Sequence, residues 1–157
     1  MDKLDSLRQH LIGLLTKAEA HVDLRSAIED FPTHLAGRKA EGAPHTPWQL
    51  LEHIRIAQQD ILRFILEPNH VSPEFPKGYW PAHDAPPAKG AWQQSVKQIL
   101  SDLDEMCQLV RDPKHDLFTR IPHGTGQTLL REALLVADHN AYHLGQLVAA
   151  RRSLEGK

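Results

Sequence analysis

The sequence predicts an all-α protein, a four-helix bundle, on three observations. Apolar residues recur at three- and four-residue spacing in four stretches of the chain. No stretch shows the alternation expected of a half-buried strand. Proline and glycine gather between those stretches rather than inside them.

Residues 1–30 contain no proline, and Leu4, Leu7, Leu11, Leu14, Leu15, Ala18 and Val22 form a helical stripe. The segment from Phe31 to His45, with Pro32, Gly37, Gly42 and Pro44, reads as a loop. Thr46-Pro47-Trp48-Gln49 opens the second helix. Thr46 can cap it, Pro47 suits its first position and Gln49 completes a capping box. That helix is expected to reach Leu66, just ahead of Pro68. Residues 67–90 hold six of the eleven prolines and read as a connection. From Ala91 the period returns through Trp92, Val96, Ile99, Leu103, Met106 and Val110, until Asp112-Pro113 ends it. After a loop with Gly124 and Gly126, Thr128 caps a last helix expected to reach Ser153.

The connector lengths bear on topology. A helix of ~20 residues is ~30 Å long, a distance that about ten extended residues span. The segment 67–90 is ample for that, which favours up-down-down-up order with the second and third helices parallel. A simple up-down bundle with a decorated loop is the alternative. Residues 1–157 are expected to form one domain.

Charge and composition exclude several functions. The 18 Lys+Arg and 20 Asp+Glu leave a net charge of −2. No basic cluster larger than a pair such as Arg151-Arg152 occurs, which argues against a nucleic-acid partner. No apolar run approaches the ~20 residues of a membrane span. The start, Met1 to Asp5, lacks the pattern of a signal peptide. A single cysteine, Cys107, cannot form an internal disulfide, so a reducing cytoplasm is expected.

Eleven histidines are out of line with this ordinary composition. His139 and His143 lie about one helical turn apart, ~6 Å along the axis, so both imidazoles can reach one point. Val136 and Leu147 share their row, which puts the pair at the edge of an apolar arc. His53 has a comparable place beside Ala57 and Phe64 on the second helix. If the second and last helices run antiparallel, all three meet at one height. Histidines on helix surfaces are the alternative that spacing alone leaves open. His70 and His83, in the crossover, are weaker candidates for a ligand or pocket contact. His10, His21, His34, His45, His115 and His123 show no partner spacing. Gln146 is placed to orient His143 and Asp60 to orient a ligand, unless both are solvated edge residues. Cys107 reads as a packed thiol. Tyr79-Trp80-Pro81, with Phe75, should fold back onto the bundle near the histidines, as a pocket wall or a core cover.

The last helix reads Leu134-Leu-Val-Ala-Asp138-His139-Asn140-Ala-Tyr142-His143-Leu-Gly145-Gln146-Leu147. It resembles the terminal motif of the DinB-like (YfiT-like) superfamily of metal-binding four-helix proteins. Trp48 to His53, the Tyr79-Trp80-Pro81 crossover before Trp92, and Gly126-Gln127-Thr128 extend the likeness over essentially the whole chain. The resemblance implies an up-down-down-up bundle, often a homodimer. It also implies a three-histidine metal site, His53, His139 and His143; zinc or nickel is the expected divalent ion, with cobalt, manganese or iron also compatible with imidazole ligands. Activities implied are those of S-transferases that use a low-molecular-weight thiol as co-substrate, or of metal-dependent hydrolases, on a small-molecule substrate. A non-catalytic metal-binding dimer in stress response is the other reading. Three neutral imidazoles leave a divalent ion its charge and an open position, the pattern of a catalytic site.

Overall fold

The computed structural model describes residues 2–17 and 20–157. They form α1 (Lys3–Thr16), α2 (Leu24–Glu29), α3 (Pro47–Leu66), α4 (Ala91–Arg111) and α5 (Leu129–Glu155). Among the described residues the only β pairing is one isolated bridge, between Arg120 and Thr128. The fold is all-α, as expected.

The first thirty residues depart from the expected single helix. The helix stops at Thr16, and a separate short one begins at Leu24. Asp23 starts it, its carboxylate accepting from the Ser26 amide and hydroxyl at 2.8 and 2.7 Å. A side chain that satisfies free helix-start amides favours a new helix over continuation. Leu11 and Leu15 of the expected stripe are buried, whereas Leu14 and Val22 are exposed. Ala18 of that stripe lies outside the described residues.

The long helices match their signals. Thr46 accepts from the Gln49 amide while Gln49 returns a bond to the Thr46 backbone, with Pro47 in the first turn. Thr128 caps α5 through the Arg131 amide. Gly156 ends α5 at φ 71°, a left-handed conformation that suits a residue without Cβ. At the end of α4, the Arg8 guanidinium donates to the carbonyls of Val110, Asp112 and His115. A buried cation thus serves the Val110 carbonyl, which the helix itself leaves free, together with two carbonyls of the loop beyond it.

Leu51, Ile54, Leu62, Ile99, Met106, Val110, Val136 and Leu147 fill the space between α3, α4 and α5. The segment 31–45 is a loop, yet Phe31, Leu35 and Ala36 are buried in that core. Phe31 stacks on Trp92 at 4.5 Å, and the Trp92 indole N–H donates to the Ile28 carbonyl at 2.9 Å. Across α3 and α4, Ser95 donates to Glu52, Gln58 to the Ile99 carbonyl and Arg63 to Glu105. Across α3 and α5, His53 meets His139 and Gln58 meets Asn140, while Phe64 meets His123 in the loop ahead of α5. No helix among the described residues is long and apolar enough to cross a membrane.

Candidate metal centre

The capping box fixes where α3 begins, and His53 lies about two turns further on. Its ring faces α5, where His139 and His143 occupy adjacent turns. One potential ligand atom from each of the three histidines falls within 4.8 Å of the others. His53 Nε2 and His139 Nε2 are 3.0 Å apart.

The rings are oriented from outside. His53 Nδ1 lies 2.8 Å from the Tyr79 carbonyl oxygen. A carbonyl can only accept, so Nδ1 carries the proton and Nε2 keeps its lone pair. His143 Nδ1 likewise donates to Gln146 Oε1 at 2.8 Å, which frees its Nε2. Gln146 therefore has the orienting role the sequence suggested. His139 differs, because its Nδ1 is buried with no partner.

Burial keeps these imidazoles neutral. It pushes His139 down to about 4, with help from its neighbours His143 and His53. Burial is also the largest cause lowering His53 and His143. A neutral imidazole is the form that binds a metal. Three neutral nitrogen donors, close-set and partly desolvated, fit a divalent ion.

The crossover closes one side. Trp80 stacks on His53 at 3.9 Å and meets His143 edge-on at 6.1 Å. It is anchored at three points. Tyr79 offers its carbonyl to His53, and its hydroxyl donates to Asp60 Oδ2 at 2.6 Å. Asp84 accepts from Thr46 and Gln49 at the start of α3. The crossover thus folds back as expected, except that Phe75 is 85% exposed, its chief ring neighbour being Tyr79. Glycine permits close approach here: a Cβ on Gly78 would lie 2.8 Å from the Pro73 side chain.

Other candidates resolve individually. Asp60 holds the crossover through Tyr79 and His70 rather than orienting a ligand directly. His83 is exposed. Cys107 is buried in the core, and burial pushes its thiol up to about 11. The sequence missed His45, which stacks on the far face of Trp80 at 3.8 Å. Its charge, when present, opposes protonation of both His53 and His143. Its position ahead of the cap, rather than any ligand spacing, brings it there.

A helical protein with three histidines converging from two helices is the class these observations define. A family model, the DinB superfamily, matches residues 16–147. The chain belongs to the DinB superfamily. No curated protein and no solved structure matches it.

Proposed function

We propose that the protein is a metal-dependent enzyme in which His53, His139 and His143 hold one divalent ion, zinc or nickel. A low-molecular-weight thiol, or water, then attacks a small electrophilic substrate. The observation that carries this reading is the orientation of the histidines. His53 and His143 each commit Nδ1 to a protein acceptor, so each turns a bare Nε2 toward the shared point. When bound, the ion supplies a Lewis acid that makes a thiol or water more acidic.

The chain's own residues supply the rest. Tyr79 and Gln146 fix two ring orientations, Trp80 keeps water from the open face of His53, and burial keeps all three imidazoles neutral. The reading includes an up-down-down-up bundle over residues 1–157, supported by the rising register of α3 against α4, and by Phe64 near the end of α3 meeting His123 ahead of α5 while His53 near its start meets His139 within α5. It also includes a homodimer in a reducing cytoplasm. Exposed Leu14 and Leu134 offer apolar surface for a second copy, and the lone buried thiol suits that compartment.

Elemental analysis of wild type and of His53→Ala, His139→Ala and His143→Ala tests the site. One equivalent in wild type and strong loss in each variant is expected; full occupancy in all three rejects it. Thiol consumption with a model electrophile, assayed with and without metal, tests the reaction. Metal-dependent hydrolysis without thiol consumption would make the protein a hydrolase. Bound metal with neither activity would leave a non-catalytic metal-binding bundle.

A further inference from the structure

Among the described residues, three buried side-chain atoms have no hydrogen-bond partner: Asp102 Oδ2, His139 Nδ1 and Asn140 Oδ1. Two of them belong to consecutive residues, one of which is a proposed ligand. A buried polar atom without a partner is costly, so two side by side call for a physical reason.

The orientation of the Asn140 amide is forced from a distance. The Ile99 carbonyl on α4 can only accept, so Gln58 turns its Nε2 toward it, at 2.7 Å. That leaves Gln58 Oε1 facing Asn140, which must present Nδ2, also at 2.7 Å. Asn140 Oδ1 is what remains: an acceptor of fixed direction without a donor. Gln58 and Asn140 are 1% and 7% exposed, so the arrangement is shielded from bulk water.

His139 is the complementary case. His53 Nε2 is bare, because its proton sits on Nδ1 against the Tyr79 carbonyl. For the 3.0 Å contact between the two Nε2 atoms to be a hydrogen bond, His139 Nε2 must hold the proton. His139 Nδ1 is then bare as well. Without an ion, both orphans are acceptors. If an ion takes the Nε2 lone pair, the neutral ring carries its proton on Nδ1, and the buried acceptor beside it gains a use. Asn140 follows His139 directly in α5, so the two unpartnered atoms lie on the same stretch of helix.

We infer that Asn140 is a positioning residue for His139, accepting the Nδ1 proton of that ring in the metal-loaded protein and held for the purpose by Gln58 and the Ile99 carbonyl. The inference rests on the metal reading above. It makes the buried Ile99–Gln58–Asn140 relay a brace that ties all three long helices to the third ligand.

The test uses full-length protein labelled with 15N-histidine, zinc as the probe, and Asn140→Ala and Asn140→Asp variants. Long-range 1H–15N spectra of wild type should show the His139 proton moving from Nε2 to Nδ1 on zinc loading. Asn140→Ala should bind zinc about 10- to 100-fold more weakly in chelator competition. Asn140→Asp keeps the acceptor but loses the donor to Gln58. It should therefore bind zinc nearly as well as wild type while melting at a lower temperature. A purely structural Asn140 predicts that both variants lose affinity and stability together, and that result overturns the inference. So does a His139 proton that stays on Nε2 when zinc is bound, or unchanged zinc affinity in Asn140→Ala. If wild type binds no zinc or nickel, the metal reading falls and this falls with it. Equal binding by wild type and Asn140→Ala removes the relay alone. Should Asn140→Ala fail to fold, the wild-type spectra and Asn140→Asp still decide.

Discussion

The His53 imidazole and the Trp80 indole lie face to face, their centroids 3.9 Å apart and their planes 1° from parallel. His45 covers the other face of the indole at 3.8 Å. A tryptophan from the proline-rich crossover is thus held between two histidines, one from α3 and one from the loop before it. The stack limits rotation of the His53 ring, and the Tyr79 carbonyl fixes which nitrogen faces inward. One short segment of crossover does both.

Trp80→Ala is expected to separate activity from metal content. All three histidines remain, so metal should stay near one equivalent, while turnover falls because the His53 ring and the water around it are less constrained. Trp80 is only half-buried, so the stability loss should be about 1–3 kcal/mol, below the ~3–5 of a fully enclosed aromatic. Metal analysis, thermal melts and turnover per folded molecule check it. Unchanged turnover at full metal loading would reject a role for Trp80 in the pocket.

The anchor beneath that segment has its own signature. Tyr79 donates to Asp60, and burial followed by the Asp60 carboxylate pushes its hydroxyl up to about 12. Asp60→Ala should bring this phenol back toward 10, read as earlier onset of tyrosinate absorbance in an alkaline titration. Tyr79→Phe leaves Asp60 with His70 as its remaining side-chain partner, and should cost about 1–2 kcal/mol. An unshifted titration in Asp60→Ala would mean the carboxylate does not govern this hydroxyl.

What the sequence disclosed follows the range of each signal. Thr46, Pro47 and Gln49 act on neighbours within one turn, so the start of α3 was legible residue by residue. His139 and His143 were legible as a pair because helical geometry fixes their separation. The break after Thr16 was not, because neither proline nor glycine marks it. The capping side chain, Asp23, is a residue type equally at home on a helix surface. His45 escaped notice because its partner is Trp80, brought to it by a fold-back whose path no local pattern sets. Buried Arg8 and Gln58 escaped for the same reason: their acceptors, the Val110 and Ile99 carbonyls, lie on another helix.

Cys107 should be inert in the folded protein. It is 2% exposed on α4, and burial is the main cause raising its thiol to about 11. Little thiolate exists at neutral pH, and reagents cannot reach it. Iodoacetamide or a chromogenic disulfide should label the native protein slowly and the urea-unfolded protein fully. Rapid labelling under native conditions would show an opening of α4 that this packing does not provide.

Asp102 gives stability a dependence on pH. It is 2% exposed on α4, with Oδ1 accepting from Gln98 at 2.8 Å and Oδ2 lacking a partner. Burial is the largest influence on its carboxyl and raises it above the usual 3.8, against the opposing pull of Gln98, Arg63 and Arg55. A carboxyl raised by folding adds stability that is fully present below the unfolded value. That stability is lost as pH climbs through the folded value. At neutral pH the protein therefore carries a buried charge that it binds poorly. Asp102→Asn keeps the shape and the acceptor for Gln98 while removing the charge. The variant should be more stable than wild type at pH 7–8 by about 1 kcal/mol. The advantage should shrink as pH falls from 7 to 4, because wild-type Asp102 then takes up its proton inside the fold. Thermal melts of both proteins across that range check the sign. A gap that stays constant with pH, or a variant less stable throughout, would mean that Asp102 is well served as a carboxylate.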